Sequence, residues 1–115
     1  MKRTALLVLL SLLAACSDEK AAEKAAKVGI TQEFNDPASV QYRDVATYSP
    51  QAGVYATCGE LNAKNQFGAY TGFMRFVALV DIVEGKAKYR DEDSTTDEYP
   101  LLYGTLEAKY CHSNG

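Results

Sequence analysis

The stretch that most narrows what this chain can fold into is "GAYTGFMRFVALVDIV", residues 68–83. It is long and apolar, and its middle, Phe73 to Val80, carries Arg75 as its only charge. Such a run is predicted to be the central strand of a sheet, beginning at Gly68. Glu84 and Gly85, between Val83 and Lys86, read as a hairpin turn into a further strand, "KAKYR". Two extended segments come earlier. "VQYRDVATY" from Val40 alternates and then slips between Tyr42 and Val45, which predicts a bulge. "GVYATCGELN" sets Val54, Ala56 and Cys58 on one side. The short connections predict a meandering antiparallel sheet of three or four strands.

Helical patterns bracket these strands. Ala22, Ala26, Ile30 and Phe34 recur every four residues, which predicts a helix from about Glu19 to Phe34, weakened by Gly29 and helped by the Glu23–Lys27 pair. Without those apolar positions, the charged, alanine-rich "SDEKAAEKAAK" would be a solvated tether. Pro37 forces Asp36 out of helical geometry, and Asp36 is then placed to cap a short turn that starts at Pro37. "DEDSTTDE", residues 91–98, reads as a polar loop. "YPLLYGTLEAKYCH" sets Tyr99, Leu102, Leu106 and Tyr110 at helical spacing, with Pro100 tolerable in the first turn and Asp97 and Glu98 at the positive end of the helix dipole. The fold class is α+β: a small antiparallel sheet flanked by an N-terminal and a C-terminal helix.

The chain opens "MKRTALLVLLSLLAAC". Lys2 and Arg3 precede an apolar run, Leu6 to Leu13, that is too short to span a bilayer, which takes about 20 residues. The run has the length of a signal-peptide core, and small residues follow it. Leu13-Ala14-Ala15-Cys16 resembles the lipobox of bacterial lipoproteins. That resemblance implies cleavage before Cys16, a diacylglyceryl group on its thiol and acylation, as with palmitate, of the new amino terminus. Each buried lipid methylene contributes about 0.8 kcal/mol, so two or three chains anchor stably. The expected layout is a signal peptide over 1–15, a lipidated N-terminus with tether or helix start over 16–27, and a single α+β domain over 28–115. Ser17 after the cysteine resembles the pattern of outer-membrane lipoproteins, which implies a lipid-anchored protein of the cell envelope on the outer membrane, facing the periplasm.

Removing residues 1–15 takes away Lys2 and Arg3 and moves the formal charge from −3 to −5. That balance argues against nucleic acid, whose phosphates need a positive patch. A core of about 100 residues is helped by a staple. With Cys16 lipidated, Cys58 and Cys111 remain, and an even pair in an envelope protein reads as a disulfide. Closing a loop of roughly fifty residues contributes about 4 kcal/mol in the chain-entropy picture.

The residues offer three catalytic or metal arrangements. Cys58 as nucleophile with His112, the one histidine, as base requires a free thiol, and pairing with Cys111 consumes it. Asp91, Asp93, Thr95 and Asp97 faintly resemble a calcium loop but lack its sixth-position glycine and twelfth-position glutamate. No carboxylate pair is singled out for glycoside hydrolysis. No cofactor is implied. The tyrosines suit half-buried strands and binding surfaces alike.

"DPASVQYR" from Asp36, followed by "CGELNAKNQFGAYTGFMRF" and a late cysteine, resembles a recurrent small domain of bacterial and phage-associated proteins, over roughly Asp36 to Cys111. The resemblance implies one domain, the Cys58–Cys111 pairing and a role for Gly59, Asn62, Lys64, Asn65, Gly68, Tyr70 and Gly72, and it carries no activity with it. Asn62 and Asn65 fit turns, and Gly68 and Gly72 fit backbone needs. Lys64 is not required by a turn, and with Glu60 and Tyr70 it makes a polar recognition site at a hairpin tip. The expected function is a non-catalytic binding or accessory module that meets the membrane through Cys16 and takes an envelope protein or cell-wall component as partner. The alternatives are a small hydrolase-like envelope enzyme using the same tip residues and an accessory lipoprotein that blocks an exogenous agent.

Overall fold

The computed structural model describes the backbone of residues 2–112 and the side chains of residues 17–112. The order of elements is α1 (Lys2–Thr31), a 3₁₀ turn (Pro37–Ser39), β1 (Gln41–Gln51), β2 (Val54–Asn62), β3 (Met74–Val83), β4 (Lys86–Thr96) and α2 (Pro100–Tyr110). The side chains of residues 1–16, on which the signal-peptide and lipidation readings fall, lie outside the described residues. Among the described residues no helix is long and apolar enough to cross a membrane.

The four strands form one antiparallel meander in the order β1-β2-β3-β4. β3 is interior and almost wholly buried through its middle, Phe76 to Val80. Glu84 and Gly85, with φ of 53° and 76°, make the tight turn from β3 to β4, the left-handed geometry that suits the twist of a two-residue hairpin. The predicted slip in β1 is a bulge between Arg43 and Ala46, with Asp44 at φ 53°. The bulge lies against Gly59, where a Cβ would crowd the backbone of Asp44 and Val45.

Alternation along each strand gives the sheet two faces, and each takes one helix. On the α1 face, Ala22, Ala26 and Ile30 pack with Leu61, Phe76, Ala78 and Val80 at zero exposure. Partly buried Tyr42, Val45, Tyr55, Ile82 and Tyr89 surround them. Ala22 and Ala26 are therefore core residues of the folded unit, where small side chains let the helix approach the sheet. Phe34 packs on this core although α1 ends three residues earlier. Gly29 admits the Tyr89 ring: a Cβ there would overlap the ring carbons. Tyr42 ties β1 to α1, donating its hydroxyl to the Lys27 carbonyl at 3.1 Å and meeting the Thr31 hydroxyl at 2.6 Å. Burial pushes the Tyr42 hydroxyl above its ordinary pKa. The Glu23–Lys27 pair is present at 3.2 Å.

On the other face, Tyr110 of α2 packs on Ala56, Val77 and Leu79, flanked by Tyr103, Leu106, Cys58 and Cys111. Cys58 and Cys111 are bonded, with Cα atoms 6.0 Å apart.

Four expectations need correction. β3 starts at Met74 and not at Gly68, because Gly68 and Gly72 take φ of 79° and 111° and bend the chain out of extension. The segment 91–96 is strand and not loop. Thr95 and Thr96 pair with Val77 and Phe76, while the extra residues between Arg90 and Thr95 form a bulge that hides the pattern. Ser94 plugs the gap, its hydroxyl donating to the Arg90 carbonyl at 2.6 Å and accepting from the Leu79 N–H at 2.9 Å. α2 buries Tyr110 and partly buries Tyr103 and Leu106, whereas Tyr99 and Leu102 of the expected face are exposed; the bond from Cys111 to β2 ties the end of the helix that carries Leu106 and Tyr110. The Asp36 side chain caps nothing in the 3₁₀ turn. The Asp36 carbonyl instead accepts the Ser39 N–H at 3.0 Å and the Ser39 hydroxyl at 2.7 Å.

Candidate functional site

The residues singled out in the sequence meet at one end of the sheet, where β1 starts and β2 ends. Their side chains are mostly committed to building that end. Asn62, at the last position of β2, accepts the Gly72 N–H on Oδ1 at 3.2 Å. Asn65 Oδ1 accepts from Phe67 at 2.9 Å and Ala69 at 3.1 Å, while its backbone exchanges bonds with Ala69 and Gly68. One asparagine thus organises the tight turn 65–68, as short amide side chains do by mimicking backbone. Lys64 and Tyr70 form an isolated bridge across that turn.

The loop is fastened to the 3₁₀ turn. The Lys64 N–H donates to Ser39 Oγ at 2.9 Å, and the Tyr70 hydroxyl donates to the Ser39 carbonyl at 2.6 Å. Lys64 Nζ lies 5.6 Å from the centre of the Tyr70 ring, within reach of cation–π attraction. Glu60 is paired with Arg43 at 2.6 Å, and the Arg43 guanidinium stacks 3.8 Å from the centre of the Phe73 ring. The strings "DPASVQYR" and "CGELNAKNQFGAYTGF" therefore supply the two halves of one fastening. Glu60, Asn62, Asn65 and the Tyr70 hydroxyl all have partners within the fold, and the Lys64 ammonium, resting over the Tyr70 ring, makes no hydrogen bond or ion pair among the described residues.

The same end carries what the sequence reading missed. Eight large hydrophobic side chains are exposed among the described residues, and six of them are Phe67, Tyr70, Phe73, Tyr99, Leu101 and Leu102. Phe67 at the loop tip is 83% exposed and Leu101 is 89% exposed. The two segments stand at the same end because Thr96 pairs with Phe76 and the Asp97 N–H donates to the Arg75 carbonyl at 2.9 Å. α1 also finishes there, with Glu33 and Phe34 lining a small hollow together with Thr95, Thr96, Glu98 and Tyr99. The signal available in the sequence was "YPLL": Pro100 opens α2 and leaves Tyr99 outside the helix, as its N-cap residue.

The catalytic and metal readings find this geometry. Cys58 has no thiol, since its sulfur is bonded to Cys111, and His112 is exposed. No group of three or more His, Cys, Asp or Glu side chains able to hold a metal occurs among the described residues. Asp93 pairs with Arg90 at 3.8 Å, and Asp91 accepts the N–H of Glu92. An open cleft of about 310 Å³ runs beside the disulfide, lined by Glu60, Arg75, Tyr103 and Glu107 among others. Arg75 is 4.0 Å from Glu107, and its hydrogen bond with Tyr103, which leads the charges of Glu107 and Asp97, raises its pKa further.

No protein-family model, curated protein or solved structure matches this chain.

Proposed function

We propose that this protein is a lipid-anchored module of the bacterial envelope that binds a protein partner through the end of the sheet bearing Phe67, Tyr70, Phe73, Tyr99, Leu101 and Leu102. The observation that carries the reading is that six of the eight exposed large hydrophobic side chains among the described residues stand at one end of the sheet, three of them in a loop fastened by hydrogen bonds and three at the start of α2. Several large apolar side chains left exposed at one end of a fold favour an interaction site there, and preordered loops bind at lower entropic cost. Arg43, Lys64 and Glu60 supply the polar rim. The lipobox-like "LAAC" supports an anchor at Cys16. α1 reaches the aromatic end at its C-terminus, so the path back to residue 17 leads about 22 Å away from that end at 1.5 Å per residue. In this arrangement the anchor holds one end of the molecule at the membrane and the other faces outward.

Two measurements test the two halves. Radiolabelled palmitate enters the wild-type chain and not Cys16→Ser. Crosslinked pull-down from intact envelopes yields a discrete partner with wild type, and that partner is lost with Phe67→Ser combined with Leu101→Ser. A partner retained by the double variant would contradict the binding end; palmitate in Cys16→Ser would contradict the anchor.

A further inference from the structure

The two faces of the sheet are packed unequally. The α1 face holds seven wholly buried residues with nine more partly buried around them. The α2 face holds four buried residues, Ala56, Val77, Leu79 and Tyr110, with four more partly buried around them. In the first turn of α2, Leu101 and Leu102 are exposed. The one ion pair between α2 and the sheet among the described residues is Arg75–Glu107, at 4.0 Å and largely exposed, a weak tie in water. The strong tie is at the helix's end, where the C-cap residue Cys111 is bonded to Cys58 in β2. That bond is not sealed in the core. Both cysteines are partly exposed, and both line the open cleft of about 310 Å³ beside Arg75 and Tyr103. Solvent-reachable disulfides are the labile ones, because a thiolate must reach a sulfur to attack it.

We propose that the Cys58–Cys111 disulfide is a redox-released clasp: a dithiol reductant entering through the cleft reduces it and frees α2, while α1 and the four strands stay folded and expose Ala56, Val77 and Leu79. One thiolate of the reductant attacks one protein sulfur. The S–S bond breaks, a mixed disulfide forms and the released cysteine thiolate takes up a proton. The reductant's second thiol then displaces the other cysteine. The dithiol leaves as a disulfide, oxidised by two electrons, and the protein holds two thiols. The proposal does not rest on the partner or the anchor. The α1 side has a core of its own, so loss of α2 need not dissolve the sheet.

Hydrogen exchange on the full chain, oxidised and after incubation with dithiothreitol under native conditions, tests it, with thiol alkylation read by mass in parallel. Both cysteines become alkylated. Amides of residues 103–110 lose about tenfold or more of their protection, while those of β2, β3 and residues 22–30 stay within about threefold. The Cys58→Ser/Cys111→Ser variant shows the same pattern without reductant. Sheet and α1 amides losing protection together with α2, or a double variant that does not fold, would show a staple for the whole fold and overturn the proposal. Unchanged α2 protection after reduction, or cysteines unreactive until the sheet unfolds, would overturn it equally.

Discussion

Gly29 sits inside α1, where glycine costs about 1 kcal/mol relative to alanine, yet the position admits no Cβ because the Tyr89 ring occupies that space. Tyr89 is in turn held by its hydroxyl, which donates to Glu33 at 3.1 Å; burial, opposed by Ser94 and reinforced by Glu33, raises the hydroxyl well above its ordinary pKa. Gly29→Ala should therefore lower stability by about 1–3 kcal/mol, as overpacking does, against its helix propensity. In Tyr89→Ala the same substitution should become neutral or stabilising, and a double-mutant cycle in urea reads the coupling. Asn65→Ala removes the acceptor for two loop N–H groups and should cost about 1 kcal/mol, whereas Lys64→Ala should leave the urea midpoint nearly unchanged. Asn62 and Asn65 were legible as turn residues from their chemistry alone. Gly29 was legible only as a weakness, because the ring that needs it lies sixty residues away in the chain.

At the scale of elements, the alternation and the "EG" turn disclosed the meander, but strand limits escaped wherever side chains replaced backbone pairing. Acidic residues 91–93 bulge away from β3 and Ser94 fills the resulting gap, so β4 carries no readable alternation there. The bulge is braced by Arg90, which donates to both oxygens of Asp81 at 2.6 and 2.5 Å. Those hydrogen bonds hold the Asp81 carboxyl below its ordinary value of 3.8. A carboxylate with a depressed folded pKa contributes stability that is fully present above the unfolded value and lost as pH falls through the folded one. Asp81→Asn should therefore be less stable than wild type near pH 7, by about 1 kcal/mol since both partners are partly exposed. The difference should shrink as pH falls below 3.8. Urea midpoints of the two proteins across pH 2–7, a range set about these carboxylate values, give the comparison. Of the four positions that the spacing sets on one face of α2, Leu106 and Tyr110 pack on the sheet and Tyr99 and Leu102 do not: the bond from Cys111 to β2 holds the C-terminal end of the helix, and among the described residues nothing comparable holds its first turn.

For the molecule as a whole, the ends are unlike. The β1–β2 and β3–β4 turns close one end, with the Ile82 N–H donating to the Gly53 carbonyl at 2.8 Å. The opposite end gathers most of the exposed aromatic and aliphatic side chains. The fold class, the disulfide and the flanking helices were all accessible from periodicity and cysteine number. The apolar end was not, because its two segments are about thirty residues apart and helical spacing places Tyr99 and Leu102 of one of them on a buried face. Phe67→Ser with Leu101→Ser should leave thermal stability within about 0.5 kcal/mol of wild type, as expected for exposed positions. The decisive contrast lies between Phe67 and Val83, both strongly exposed and at opposite ends. Photocrosslinking residues placed at position 67 or at position 83 and irradiated in intact envelopes should give a discrete adduct from 67 and none from 83. Adducts of the same mass and yield from both positions, or from 83 alone, would contradict a partner-binding aromatic end.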